Sequence, residues 1–322
     1  MLTGAYRFHC QFTTPAFVSA SKGSMLRGAF GHSFKGICCA LRQQECGSCL
    51  LNSTCPYPFI FETETKPPAD DNDDNSVAIK SKIAMRPHPY VFEPPVESRC
   101  RYEAGGHFSF GIALFGKAND FLPYIIFAVE RMGANGIGRS IGAGFGRFAL
   151  NRVMAQERCL YDSESRVLDR EMPPDDLILA APEINPPVTI IDVALLTPLR
   201  IKHQNQFQNT ISFHLLIRAA LRRVSSLEQY YGGGEPALDY RGMVRRAEFI
   251  HTIESRCRWL DLDRYSNRQK TVMSMGGLTG TIRYKGDLSE FIPVLRYCEK
   301  TNLGKQTAFG LGKIAITIEK GP

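Results

Sequence analysis

The chain has 322 residues, of which 43% are hydrophobic and 22% are charged, a balance typical of proteins that bury a core. Its 39 lysines and arginines and 32 acidic residues give a formal charge of +7, which permits a polyanionic partner without requiring one. No apolar run approaches the ~18 residues of a membrane-spanning helix, and no signal peptide is visible. We therefore expect a cytoplasmic protein with no membrane partner.

The first predicted elements are a strand over residues 5–12, whose apolar side chains alternate, and a helix over Ser24–Arg42. On a helical wheel, one stripe of this helix faces the core, formed by Leu26, Phe30, Phe34, Ile37 and Leu41. His32 points away from that stripe and shares the outer half of the helix with Gly28, Gly31, Lys35, Gly36 and Cys39. Each glycine in a helix costs roughly 1 kcal/mol against alanine, so we interpret the three as allowing close approach of a bulky group.

Five cysteines follow closely within 18 residues, at positions Cys38, Cys39, Cys46, Cys49 and Cys55. Cys46-Gly-Ser-Cys49 has the spacing of a zinc knuckle, and cytoplasmic cysteines are expected to stay reduced. The pattern predicts a structural zinc site with the ligands Cys39, Cys46, Cys49 and Cys55, in which Cys38 is the alternative to Cys39. An iron–sulfur cluster and unligated thiols are the other interpretations.

An internal repeat organises the chain. Residues 105–150 and 276–316 share one order: Gly-Gly, a strand, a Phe-x-Pro turn, a helix, a glycine-rich loop and a final strand. Residues 190–201 and 210–231 supply a strand and a helix that match those of the first half. The order predicts an α+β fold of two tandem ferredoxin-like (RRM-like, βαββαβ) domains with glycine-rich loops.

We place the N-terminal domain at residues 1–170, including the cysteine cluster and an insertion at 62–98 that contains the acidic run 70–74. The C-terminal domain spans residues 188–322. The proline-rich, acidic stretch 171–187 separates the two domains.

Both glycine-rich loops carry cations. Residues 138–147 contain Arg139 and Arg147, and residues 304–313 contain Lys305 and Lys313 at the matching positions. Glycine permits positive φ and close approach of the backbone, and successive amide groups with flanking cations can bind an anion. The alternative is that the glycines only make tight turns.

The predicted helix over residues 210–231 adds a basic face, since His214, Arg218 and Arg222 are spaced by four, with Arg223 beside them. A solvated basic face is the simpler interpretation of this pattern. Beside two basic loops, the pattern favours a track for the phosphates of RNA.

Together these motifs resemble the RAMP superfamily and, within it, the CRISPR pre-crRNA processing endoribonucleases. The matching segments are Leu26-Arg-Gly-Ala-Phe-Gly-His32, the cysteine cluster ending at Cys55, Gly138-Arg-Ser, Thr197-Pro-Leu-Arg200, Tyr265-Ser-Asn-Arg268-Gln269 and the loop from Gly304 to Gly312. The resemblance implies binding of CRISPR repeat RNA and crRNA, with other CRISPR effector subunits as further partners. The predicted RNA-binding residues are Arg139, Arg147, Arg200, Arg218, Arg222, Arg268, Lys305 and Lys313.

The resemblance also implies cleavage that needs no metal or other cofactor, in which a ribose 2′-OH attacks the adjacent phosphate and leaves 2′,3′-cyclic phosphate and 5′-OH ends. Since a histidine near the first helix is a frequent catalytic residue in that family, we predict His32 as general base or acid. Lys35 and Tyr6 are its predicted helpers, and His9 is its rival. The alternatives are a non-catalytic RAMP subunit that binds crRNA and a metalloprotein unrelated to RNA, which would leave the repeated basic loops unexplained.

Overall fold

The computed structural model describes residues 1–41, 44–62, 86–95, 97–139, 144–169, 174–179, 187–266 and 271–319. Its N-terminal half consists of β1 (Leu2–Phe12), α1 (Lys22–Cys38), β2 (Tyr90–Glu93), β3 (His107–Phe115), α2 (Leu122–Asn135) and β4 (Phe148–Ala155). These strands form an antiparallel sheet in the order β2-β3-β1-β4. The sheet is extended beyond β4 by Arg158–Asp162 and Val167–Leu168, and Asp175–Asp176 pairs with the start of β1.

The C-terminal half repeats this arrangement with β5 (Ile190–Leu199), α3 (Phe213–Tyr231), β6 (His251–Leu260), β7 (Gly277–Lys285), α4 (Ile292–Thr301) and β8 (Ile314–Ile318). Its antiparallel sheet has the order β6-β7-β5-β8, which corresponds strand for strand to the first sheet. The predicted α+β fold with two ferredoxin-like units is therefore confirmed. The smaller described elements are the helices Pro56–Phe61 and Tyr240–Arg246 and the paired strands Ala16–Phe17 with Arg101–Tyr102, Lys202–His203 with Gln206–Phe207, and Asp263–Ser266 with Thr271–Ser274.

Each sheet buries one face under its helices. Alternate residues of β1, among them Phe8 and Phe12, join a core with Leu26 and Phe34 of α1, while Arg7 and His9 face the other side. The exposed face of the first sheet borders a cleft between the two halves, which Lys313 lines from the C-terminal half. Within the described ranges, no helix is long and apolar enough to cross a membrane.

Strand β2 corrects the sequence prediction, which included it in the insertion over residues 62–98. Tyr90, Val91 and Phe92 are all buried, so the strand lacks the alternation that would have identified it. The reason is that both of its faces are covered. Phe92 joins the core of the first half, while Val91 packs with Phe115 into the core of the second.

The first helix also differs from its prediction. It ends at Cys38, four residues early, and Leu41 lies beyond it with 36% of its surface exposed. Gly31, predicted on the outer half, is buried, because a Cβ there would lie 2.5 Å from the ring of Phe61. This glycine allows the helix Pro56–Phe61 to pack closely against α1.

Candidate nucleic-acid interface

Over their described residues, the two glycine-rich loops match in backbone conformation at three pairs of glycines. Positive φ angles between 75° and 94° are shared by Gly138, Gly144 and Gly146 and by their counterparts Gly304, Gly310 and Gly312. In each loop the last of these glycines donates its amide to the carbonyl of a proline at or near the end of the first strand of that half. The distance is 2.8 Å from Gly146 to Pro15 and 3.1 Å from Gly312 to Pro198.

The residue after this last glycine also makes the same hydrogen bond in both loops. The amide of Arg147 donates to the hydroxyl of Thr14 at 3.0 Å, and that of Lys313 donates to Thr197 at 2.8 Å. A Cβ on Gly312 would lie 1.8 Å from the carbonyl oxygen of Leu303, so only glycine fits there. The tight-turn interpretation therefore accounts for this part of the loops, and these amides are used within the protein rather than offered to an anion.

The cations do converge, at a basic pocket. We give this name to a cavity of about 390 Å³ enclosed by residues 304–309 of the second loop, α3, the start of the hairpin after β5 and residues 86–88. It brings together four of the predicted RNA-binding residues, namely Arg200, Arg218, Arg222 and Lys305. No carboxylate is among the described residues that line it.

Three further cations of the basic pocket were not predicted as RNA-binding residues, namely Arg86, Lys202 and Arg223. Arg223 was placed beside the basic face of α3, but it is buried and donates to the carbonyl of Thr301 at 2.7 Å. Burial lowers its pKa to about 10. Arg86 likewise donates to three carbonyls around the end of the helix Pro56–Phe61. These two arginines hold the pocket together.

Arg200 is 6% exposed, stacks over the ring of Phe207 at 4.3 Å and donates to the carbonyl of Ser274 at 2.9 Å. Burial lowers its pKa. In contrast, the solvent-exposed cations of the pocket are Lys202, Arg218, Arg222 and Lys305. With no acid on the described walls to neutralise them, these four create the positive potential that attracts a polyanion.

The remaining predicted RNA-binding residues lie elsewhere. Arg139 and Arg147 are exposed on the first loop and do not line the basic pocket. Lys313 faces the cleft between the halves, where its amine lies 2.7 Å from the carboxylate of Glu93, and this ion pair does not favour a role in phosphate binding. Arg268 lies outside the described residues.

His32 is exposed on α1, with Gly28 and Gly36 one turn away on either side. A Cβ on either glycine would meet no atom within 4 Å. The histidine therefore stands in a stripe of uncovered helix backbone, open to close approach from solvent. It is not among the residues that line the basic pocket.

The predicted helpers of His32 are placed differently from each other. Tyr6 is 6% exposed in the core, its hydroxyl donates to Asn119 Oδ1 at 3.0 Å, and burial raises its pKa to about 12. This placement does not favour a role beside an exposed histidine. Lys35 lies one turn from His32, with its amine 5.4 Å from the centre of the Tyr57 ring.

The rival His9 lies on the opposite face of the first sheet, in the cleft between the halves. Burial lowers its pKa, and the charges of Arg152 and Arg7 lower it further. His9 and His32 are therefore on different sides of the N-terminal half.

The predicted zinc ligands are partly buried near the end of α1. Cys55 Sγ lies 3.9 Å from the carbonyl oxygen of Cys38, and burial raises the pKa of Cys46. Over the described ranges, no group of three or more His, Cys, Asp or Glu side chains is arranged to hold a metal ion. The structure thus gives no support to the zinc prediction.

The sequence did not predict a contact behind the basic pocket, where α1 meets His88 and the second loop. Nη2 of Arg27 lies 3.1 Å from Nε2 of His88, and its guanidinium also stacks 4.6 Å from the Phe309 ring of the second loop. Burial first, and then the charge of Arg27, lower the pKa of His88 to about 3, so this histidine is neutral and accepts the hydrogen bond. The segment Arg86-Pro-His88 was assigned to the insertion, where nothing marked it as a wall of the pocket.

Two family models match the chain. Residues 2–173 match AF_1859_N, described as an N-terminal domain, and residues 193–314 match the CRISPR-associated endoribonuclease Cas6. An uncharacterized protein of Archaeoglobus fulgidus is 24% identical over 310 residues, which cover 95% of this chain and 93% of that one.

Solved structures share the fold at low identity. A partial Cas6-RT-Cas1–Cas2 complex matches with a TM-score of 0.57 and 13% identity over 99% of this chain, which spans only 46% of that one. A Cas6 product complex matches with a TM-score of 0.55 and 12% identity, covering 98% of this chain and 99% of the other. Thermus thermophilus Cas6 has a TM-score of 0.52 and 10% identity, with 98% of each chain covered.

Proposed function

We propose that this chain, which belongs to the AF_1859_N family through residues 2–173 and matches the Cas6 endoribonuclease model over residues 193–314, binds CRISPR repeat RNA and cleaves pre-crRNA to crRNA. The observation that carries this proposal is the basic pocket. It lies mainly within the segment matched by the Cas6 model, and its described walls combine seven cations with no carboxylate.

The pocket suits an RNA strand because its cations divide into two groups. Arg86, Arg200 and Arg223 are fixed by carbonyl groups and aromatic rings, whereas Arg218 and Lys305 project to solvent. Fixed cations preserve the shape of the site. Exposed cations neutralise RNA phosphates and release the counterions condensed on them, which is a large source of affinity for nucleic acids. Phosphate contacts position a strand but carry no base identity, so sequence reading must come from other contacts.

We propose that cleavage proceeds by attack of a ribose 2′-oxygen on the adjacent phosphorus. A bond forms between that oxygen and phosphorus while the bond from phosphorus to the 5′-oxygen breaks, which yields a 2′,3′-cyclic phosphate and a 5′-OH. One group must remove the 2′-OH proton and another must protonate the leaving oxygen. His32 is the candidate for one of these roles, since the open stripe formed by Gly28 and Gly36 lets an RNA backbone reach its imidazole.

The deciding experiment incubates end-labelled repeat RNA with the protein in EDTA and identifies the product ends. We expect cleavage that leaves a cyclic phosphate. His32→Ala should keep RNA binding and lose cleavage. The control His251→Ala should cleave normally, because His251 is also exposed but lies away from α1, at the start of the edge strand β6. Full cleavage by His32→Ala would remove the assignment of that residue.

One observation favours a second candidate function, a non-catalytic subunit that holds crRNA in a CRISPR effector complex. The described residues that line the basic pocket do not include His32, so the structure does not join the predicted base to the phosphate site. Tight binding of repeat RNA without any cleavage, in EDTA and in Mg²⁺ alike, would support this second function over the first.

A further inference from the structure

One residue of the basic pocket has a buried acceptor atom that phosphate cannot satisfy. Gln306 follows Lys305 in the second glycine-rich loop and lines the pocket. Its backbone is left-handed, with φ 63° and ψ 31°, a conformation that residues other than glycine seldom adopt. Such conformations in non-glycine residues concentrate at functional sites, where the side chain is needed despite the strain.

The side chain of Gln306 also has an unused polar group. Its Oε1 atom is buried and has no hydrogen-bond partner among the described residues. An unpartnered buried acceptor destabilises the free protein, and a ligand that supplies a donor recovers that loss. The residue as a whole is only partly buried, so rotation about its side-chain torsions can present the amide to a ligand.

Phosphate cannot supply the donor that Gln306 Oε1 needs, because a phosphodiester group carries only hydrogen-bond acceptors. The lysine and arginine side chains around the pocket offer only donors, which match those acceptors. Gln306 is therefore the position at which the wall requires a hydrogen-bond donor from the ligand. In RNA the donor next to each phosphate is the ribose 2′-hydroxyl, which DNA lacks.

We propose that Gln306 accepts a hydrogen bond from the 2′-hydroxyl of the nucleotide whose phosphate is held by Lys305 and Arg218, and so selects RNA over DNA. The inference rests on the proposed function, since it assumes that the basic pocket holds a nucleic-acid strand. The inference adds to the proposed function a residue that determines specificity, Gln306, and the chemical group that it recognises, the ribose 2′-hydroxyl.

The test combines one protein variant with a series of RNA changes. Gln306→Gly removes the amide while keeping a residue that tolerates the left-handed backbone, so the loop is expected to fold. The matched control is Gln204→Gly. Gln204 also has positive φ, at 48°, but it is exposed on the nearby hairpin and does not line the pocket. Binding is measured with repeat RNA and with RNAs that each carry a single 2′-deoxy nucleotide, with RNA integrity checked on a denaturing gel.

We expect one 2′-deoxy position to weaken binding by the unmodified protein about fivefold, the effect of one hydrogen bond. Gln306→Gly should bind all-ribose RNA more weakly than the unmodified protein by a similar factor. For this variant the 2′-deoxy change at that position should cause no further loss of affinity, while Gln204→Gly should behave as the unmodified protein. Equal sensitivity of Gln306→Gly and the unmodified protein at every 2′-deoxy position would overturn the inference and leave RNA binding intact. If base amino groups rather than 2′-hydroxyls show the coupling, the inference is also wrong. Failure of the unmodified protein to bind repeat RNA would instead refute the proposed function.

Discussion

Removal of two exposed arginines from α3 tests the basic pocket most directly. Arg218 and Arg222 lie one turn apart on the exposed face of this helix, and no acid lines the described walls beside them. In the double variant Arg218→Gln and Arg222→Gln, glutamine keeps a helix propensity close to that of arginine. Folding should therefore be unaffected, and two phosphate contacts should be lost.

The size of the effect follows from counterion release. Each phosphate contact with a single strand contributes about 0.7 to the slope of log affinity against log salt concentration, so the slope should fall by about 1.4. Between about 50 and 200 mM salt, the unmodified protein should then lose about sevenfold more affinity for repeat RNA than the variant loses. Fluorescence anisotropy over a salt series measures both slopes.

A matched control exists in the same half of the chain. Arg241 and Arg245 are also exposed and spaced by four, on the helix Tyr240–Arg246, and they lie outside the pocket. Their replacement by glutamine should leave the slope unchanged. An unchanged slope in the α3 variant, or an equal fall in the control, would show that the basic pocket does not hold phosphates.

Four further outcomes are expected. Arg223→Met should lower the free energy of unfolding by about 1–3 kcal/mol in urea titrations, because the buried carbonyl of Thr301 loses its donor. A loss below about 0.5 kcal/mol would contradict this. Gly28→Ala should raise the free energy of unfolding by up to about 1 kcal/mol, because the added Cβ meets no atom within 4 Å. The same variant should slow RNA cleavage, and unchanged cleavage would argue against RNA lying on this face of α1. Because the pKa of His88 is lowered from 6.5 to about 3, the unfolded chain binds a proton that the folded chain does not bind between these two pH values. The free energy of unfolding should therefore fall by about 1.4 kcal/mol per pH unit as the pH drops from 6.5 towards 3. Calorimetry should show His88→Gln to be less sensitive to pH in that range. Metal analysis of the purified protein tests the zinc prediction. Zinc that is present in the unmodified protein and absent from Cys46→Ser would support the prediction, whereas four titratable thiols and no bound metal would refute it.

The amino-acid sequence alone was enough to predict the repeat, the order of most strands and helices, and the equivalence of the two glycine-rich loops. These features are local, because side-chain periodicity follows the geometry of one element and a glycine marks a backbone angle at its own position. Gly144 and Gly146 could thus be matched to Gly310 and Gly312 from their places in the repeat, and their φ angles agree within 4° in each pair.

Which cations share a site depends instead on how the elements pack in three dimensions. Arg200, Arg218 and Lys305 are far apart in the chain and meet because β5, α3 and the second loop close around one cavity. The sequence could not predict that Arg223 is buried or that Lys313 pairs with Glu93, because periodicity shows which face of an element is apolar and not what packs against it. For the same reason β2 was missed: its two faces are buried in the cores of both halves, and those contacts exist only once the halves are packed together. Gln306 was missed because its left-handed backbone and its buried, unpartnered Oε1 atom are visible only in the structure.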